Sequence, residues 1–281
     1  MKKLISALLV IAMLLSLTTA CAKKADDANV LTVALSPDFS PMEFVDTAKS
    51  GQEQYVGFDV TLANYIADEL GMTLEIKPMS FDACQTAVQL GSVDMAISGF
   101  SWTAARAENF AISDYYVAGD NETEQAIITT SENGGKLTTI DAFSGLKVGA
   151  QAASLQELLC NEQLKDSEIV LFKSLDDAVL ALQTGKIDAL AVAVGNGEAI
   201  IASNPTIAFT GFQFDVDPLY ENNVILLNKT NTEMLDKVNA ILAKAMAADL
   251  YTGWYEDAKA LAGIETAADV SYDDEGNAVT D

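Results

Sequence analysis

The chain has 281 residues and not one histidine. That single absence removes the commonest general base, the usual zinc ligand and the centre of a Ser-His-Asp triad. Cysteine is scarce as well: Cys21, Cys84 and Cys160 stand alone, with no CxxC spacing. Cys84 and Cys160 fall in helical patterns and read as buried apolar thiols rather than a disulfide. No metal site, cofactor or catalytic residue is expected. Basic side chains are few, 16 against 41 acidic ones, for a formal charge of −25. Loss of Lys2 and Lys3 with a cleaved leader makes the chain two units more negative still. Such an excess disfavours nucleic acid, whose phosphates need Lys and Arg, and favours solubility. Half of the residues are apolar, enough for a substantial core.

What is present begins with an export pattern. Met1-Lys2-Lys3 precedes an apolar run from Leu4 to Leu17, then Thr18-Thr19-Ala20-Cys21. A basic start, a short apolar core and small residues before a cut site describe a signal peptide over residues 1–20. The run is short for a membrane span. Cysteine directly after Ala20 resembles a lipobox, with Thr18 where Leu is usual. The reading is lipidation at Cys21, with plain secretion as the alternative, and a polar tether over 21–29. No later run is long and apolar enough to span a membrane. The expected location is therefore the outer face of the cell membrane, lipid-anchored, at the cell surface or in a periplasm.

Two stretches repeat one plan. Residues 80–97 read SFDACQTAVQLGSVDMAI and residues 174–191 read SLDDAVLALQTGKIDALA. Ser80, Asp82, Gly91 and Asp94 recur at the spacing of Ser174, Asp176, Gly185 and Asp188. Each stretch follows an apolar run, so the unit is a strand, a helix and a strand. Recurrence of the acids argues for capping and turn roles rather than catalysis. The alternation along the chain predicts an α/β protein of two similar lobes, each a mainly parallel sheet flanked by helices. Lobe 1 is expected at 30–117 plus 223–263, and lobe 2 at 122–216. Hinge crossings are expected at 118–121 and 217–222, with an acidic tail at 264–281. Residues 37–57 read as a loop. Two crossings make a hinge, and paired lobes leave a cleft for a small ligand.

Ligands of open parallel sheets sit beyond the carboxyl ends of the strands. One such loop reads Ser98-Gly99-Phe100-Ser101-Trp102-Thr103-Ala104-Ala105-Arg106. Serines and a glycine at a helix start favour an anion. Arg106 in the first turn opposes the helix dipole, at a cost of ~0.3–1 kcal/mol. A bound carboxylate would reverse that cost through charge-assisted, bidentate pairing. A surface pair with Glu108 or Asp114 is the plain alternative. Phe39, between Pro37 and Pro41, and Trp102 are each either a platform for a ligand or a plug for the core.

These residues, in this order, resemble the solute-binding proteins of polar amino-acid ABC transporters, over roughly residues 31–258. The resemblance is carried by Phe39, Pro41 and Glu43; by Gly57-Phe58-Asp59-Val60; and by Ser98, Gly99, Ser101, Thr103 and Arg106. Ser113-Asp114-Tyr115-Tyr116 and Lys147–Gln151 continue it. It implies a type II periplasmic-binding fold. It also implies that Arg106 grips a ligand carboxylate, aided by Ser98, Ser101 and the backbone of Gly99. Phe39 would pack on the ligand, and Ser154 would reach in from the second lobe. Ser36 and Ala193 stand where the family usually has Asp, the second of which holds a ligand ammonium. Either another acid substitutes, with Glu43, Glu198 and Glu221 as candidates, or the ligand lacks a free α-amino group. The expected function is capture of an amino acid or related small carboxylate by hinge closure. The chain would act as a monomer and deliver to an ABC permease. A dehydratase-type enzyme on the same fold and a sensor lipoprotein with a degenerate pocket are the alternatives.

Overall fold

Short β-branched runs alternate with amphipathic stretches, and the chain folds accordingly. A computed structural model describes residues 29–119, 123–264, 271–272 and 278–279. The expected leader, Cys21, most of the tether and most of the acidic tail lie outside the described residues.

In chain order the first lobe contains β1 (Val30–Leu35), β2 (Asp38–Phe39), β3 (Glu43–Val45), β4 (Tyr55–Val56), α1 (Phe58–Leu70), β5 (Thr73–Pro78), α2 (Phe81–Gln89), β6 (Met95–Ala96), α3 (Ala104–Asn109) and β7 (Phe110–Ile112). The second contains β8 (Gln125–Thr130), β9 (Lys147–Gln151), α4 (Leu155–Gln163), β10 (Glu168–Phe172), α5 (Leu175–Gln183), β11 (Ala189–Ala193), α6 (Val194–Ser203) and β12 (Ile207–Gln213). The chain then returns with β13 (Leu226–Asn228), α7 (Thr232–Ala247) and α8 (Leu250–Leu261). Within the tail, Ser271–Tyr272 pairs antiparallel with Ala278–Val279.

The two large sheets have matching orders, β5-β1-β6-β13-β7 and β10-β9-β11-β8-β12. Each is parallel in its first half and antiparallel in its second. The mainly parallel sheet read from the sequence is thus a mixed one. The antiparallel strands are those beside the crossings: β8 enters lobe 2 next to β11, and β13 re-enters lobe 1 next to β6. The segment read as a loop, 37–57, instead forms a small antiparallel sheet, β2-β3-β4. Its strands of two or three residues are too short to show alternation. Gly57 ends it with φ 118°, where a Cβ would lie 2.4 Å from the Met42 carbonyl oxygen.

The repeated residues do structural work in both lobes. Asp94 Oδ2 accepts from Thr32 N at 2.8 Å, and Asp188 Oδ2 accepts from Lys147 N at 2.8 Å. Each aspartate ties two neighbouring strands of its sheet's parallel half. Ser80 and Ser174 stand at helix N-caps, and Gly91 and Gly185 follow those helices with φ of 66° and 68°. Cys84 and Cys160 are buried and free, as the sequence implied.

Apolar packing is confined within the lobes. Phe58, Tyr116, Tyr251 and Tyr255 centre one cluster of lobe 1; Phe143, Leu159 and Phe212 centre one of lobe 2. Among the described residues no apolar cluster draws buried members from both. The lobes meet instead through polar contacts. Asp38 Oδ2 accepts from Leu175 N at 2.7 Å, at the start of α5, and lies 3.3 Å from Gln151 Nε2. Asn196 Nδ2 donates to Ser40 O at 3.0 Å. Hydrogen bonds of this kind are worth about 0.5–1.5 kcal/mol net, so few of them hold the halves together. Asp38→Ala is expected to raise the radius of gyration of the ligand-free chain in small-angle scattering, with far-ultraviolet dichroism unchanged.

Candidate functional site

The carboxyl ends of β6, β9 and β11 face one another across the gap between the lobes. Between them lies a narrow cavity with free space of only about 20 Å3. Lobe 1 contributes Phe39, Phe81, Ser98, Gly99, Ser101, Arg106 and Asn223 to its wall. Lobe 2 contributes Gln125, Gln151, Ser154, Leu155, Gln156 and Ala193.

Arg106 is placed by the cap of α3. Thr103 Oγ1 accepts from Arg106 N at 3.2 Å, which turns the side chain inward from the first helical turn. The guanidinium is buried, with Nη1 donating to Ser101 O at 2.6 Å and Nη2 to Ala153 O of the other lobe at 2.8 Å. Its Cζ sits 5.5 Å from the Phe81 ring centre and 5.2 Å from that of Phe100. Those rings stack at 4.5 Å and present their faces to the cation. No carboxylate lies within ion-pair distance of it among the described residues, so the surface pair with Glu108 or Asp114 does not form. Burial lowers its pKa to about 10, which leaves it charged at neutral pH. Two of its five N–H donors are engaged by those two carbonyls; the others suit an anion in the cavity.

Two assignments from the sequence change. Gly99 was expected to offer its N–H to a ligand, but that group donates to Asp59 Oδ2 at 2.7 Å. Gly99 is needed for another reason: it has φ 55°, and a Cβ there would lie 2.7 Å from the Phe39 ring. Trp102 is absent from the cavity wall and packs beside the cluster of Phe81, Phe100 and Val224. The aromatic facing the cavity from that side is Phe81, which the sequence did not flag. Ser154 is at the wall as the N-cap of α4, its hydroxyl donating to Gln151 O at 2.7 Å and accepting from Glu157 N. Phe39 and Ser101 also reach the wall. Gln125, Gln156 and Asn223 were missed; Gln125 starts the antiparallel β8, which brings its polar end to the same edge where β9 ends in Gln151.

Behind the wall lies a pair of buried acids. Ser98 Oγ donates to Glu43 and accepts from Ser36 N at 3.0 Å. Asp59 holds Gly99 N and accepts from Tyr116 Oη at 3.1 Å. Glu43 and Asp59 are close enough to raise each other's electrostatic cost, and Glu43 Oε2 and Asp59 Oδ1 are buried with no hydrogen-bond partner among the described residues. Buried carboxyls this close favour the protonated form, because two adjacent charges in a low dielectric repel. Burial first, then the charge of Asp59, holds Glu43 well above the carboxylate range; burial brings Asp59 to about 7.

The geometry defines a class: a two-lobed protein whose interlobe cleft presents a buried cation to a small solute. Residues 31–257 match the model of the bacterial extracellular solute-binding proteins, family 3, and the chain belongs to that family. A putative ABC transporter arginine-binding protein of Escherichia coli K12 is 26% identical, over 91% of this chain and all of that one. A probable histidine-binding protein of Campylobacter jejuni is 28% identical, over 73% of this chain and 80% of its own length. Among solved structures, an amino acid ABC transporter substrate-binding protein of Streptococcus pneumoniae bound to L-arginine superposes with a TM-score of 0.76. It is 30% identical, and the match covers 85% of this chain and 98% of that one.

The acid pair gives stability a pH dependence of definite sign. An acid whose pKa is raised on folding holds a proton that the unfolded chain has lost, so stability is full below the unfolded value and falls as pH rises through the folded one. For Asp59 that window runs from 3.8 to about 7. Thermal unfolding is expected at a lower midpoint at pH 8 than at pH 5. Asp59→Asn should shrink that difference, measured against the unsubstituted chain at both pH values.

Proposed function

We propose that this chain is the extracytoplasmic substrate-binding component of an ABC importer. It captures an amino acid or related small carboxylate between its lobes and delivers it to a permease, working as a monomer. The observation that carries this reading is Arg106, a buried guanidinium in the cavity wall with no carboxylate partner among the described residues. Removing a charge from water is costly unless it is paired. A ligand carboxylate supplies the pair, and the family relationship supplies the transport context.

Closure follows from the same cation. Arg106 belongs to lobe 1 and already touches Ala153 of lobe 2. A ligand seated beside it therefore contacts both halves, which share no apolar core. Micromolar capture needs about −8 kcal/mol. Hydrogen bonds to a charged group contribute about 1.5–3 kcal/mol each, so the aromatic and amide walls contribute much of the remainder.

Calorimetric titration of the chain lacking residues 1–21 with amino acids and small carboxylates tests the site. Arg106→Ala is expected to weaken the best ligand on the order of 10- to 100-fold while leaving the unliganded fold intact. Unchanged affinity would refute the assignment. The lipid anchor at Cys21 is part of the same proposal. The full chain expressed in a bacterium should fractionate with membranes, and Cys21→Ser should move it to the soluble extracytoplasmic fraction.

A further inference from the structure

Arg106 is the one charged residue in the described wall of the interlobe cavity; its other members are aromatic, aliphatic, hydroxyl, amide or glycine. From that charge pattern we infer that the solute is a carboxylate without a cationic group, its tail bearing hydroxyl or amide functions, and not a basic or other α-amino acid carrying an ammonium. The inference rests on the carboxylate-capture reading above and deepens it.

The described acids nearest the cavity all have other roles. Glu43 lies behind Ser98 rather than in the wall; one of its oxygens accepts from that hydroxyl and the other is buried, out of contact with the cavity. Asp59 is held by Gly99 N and Tyr116 Oη on the same inner side. Asp38 stands near the mouth, but its carboxylate serves Ser36 Oγ at 2.7 Å, Leu175 N at 2.7 Å and Gln151 Nε2, and so joins the lobes. Glu157 Oε2 accepts from Ala153 N at 2.6 Å. Glu198 and Glu221 are absent from the wall.

Electrostatics then select the ligand. A monoanion neutralises the site. A zwitterion leaves its ammonium beside a guanidinium in a medium of low dielectric, with no opposite charge facing it. An arginine-like ligand adds a second cation. The amides favour a neutral polar tail. Gln156 Nε2 donates to Gln125 Oε1 at 2.6 Å, and Gln151 Nε2 turns to Asp38. That leaves Oε1 of Gln151 and of Gln156 as neutral acceptors with no protein donor among the described residues, matched to a hydroxyl or an amide N–H. Phe39 and Phe81 supply apolar wall for the carbon skeleton.

The test uses matched pairs in calorimetry on the chain lacking residues 1–21. Each pair sets an α-amino acid against the 2-hydroxy acid of the same side chain: L-alanine and lactate, L-glutamate and 2-hydroxyglutarate, L-aspartate and malate, L-phenylalanine and phenyllactate. L-arginine and L-histidine are titrated alone. At least one hydroxy acid is expected to bind ten-fold or more tighter than its amino partner, with neither basic amino acid binding at millimolar concentration. Binding of L-arginine, L-histidine or any amino acid as tightly as its hydroxy partner overturns this inference and leaves carboxylate capture standing. No binding by any member overturns capture itself, and the inference with it. A second variant reports on the wall directly. Ala193 is buried there at the end of β11, and Ala193→Asp adds the missing negative charge. It is expected to shift the amino-to-hydroxy affinity ratio at least ten-fold toward the amino acid; an unmoved ratio in the folded variant counts against the inference.

Discussion

A guanidinium taken out of water, with no carboxylate among the described residues to meet it, is the constraint on which the rest of this protein turns. Carbonyl oxygens at Ser101 and Ala153 and the faces of Phe81 and Phe100 soften the desolvation of Arg106 without cancelling its charge. Because one of those carbonyls belongs to each lobe, whatever neutralises the cation also acts on both halves. The halves have separate apolar cores and meet through hydrogen bonds. Closure of such a cleft is therefore governed by a few polar contacts and by the ligand, not by a shared core.

Carboxylates are plentiful around the cavity and yet excluded from its wall. Glu43 and Asp59 are used as scaffold: one fixes Ser98, the other the backbone of Gly99 and the hydroxyl of Tyr116. Tyr116 in turn bridges to Asn223, where the chain re-enters the first lobe. The acid pair thus links the loop that presents Arg106 to the region of the crossings. Asp38 is used between the lobes. An overall charge of −25 coexists with a cationic cavity because each described acid nearby is committed to a donor and kept out of the wall.

Much of the fold was legible because its signals are local. The strand–helix repeat, the helix starts at Ser80, Thr103 and Ser174, and the left-handed glycines after helices depend on residues a few positions apart. The parts that escaped have weak or contrary local signals. Helix α6 reads VGNGEAIIAS, and its two glycines are poor helix formers. Gly197 is there because a Cβ would lie 2.7 Å from the ring of Phe209 on β12. Strand β7 is three residues long and exists through its partner β13. The site divides the same way. Arg106 was legible because a cation in a first helical turn contradicts the helix dipole. Gln125, Gln156 and Asn223 carry no such contradiction, and neither the exchange of Trp102 for Phe81 nor the diversion of Gly99 N to Asp59 has a local sign.

The sequence by itself determined the duplicated α/β plan, the absence of histidine chemistry and the placing of one arginine at a helix start beyond a parallel strand. Periodicity, capping and composition are properties of short stretches, and they survive without a fold. Tertiary structure alone decided which acids are consumed as scaffold, which amides face the cavity and that no negative charge answers Arg106 in its described wall. Those outcomes depend on groups 40 to 140 residues apart in the chain meeting at one edge, and a charge balance exists only once they have met.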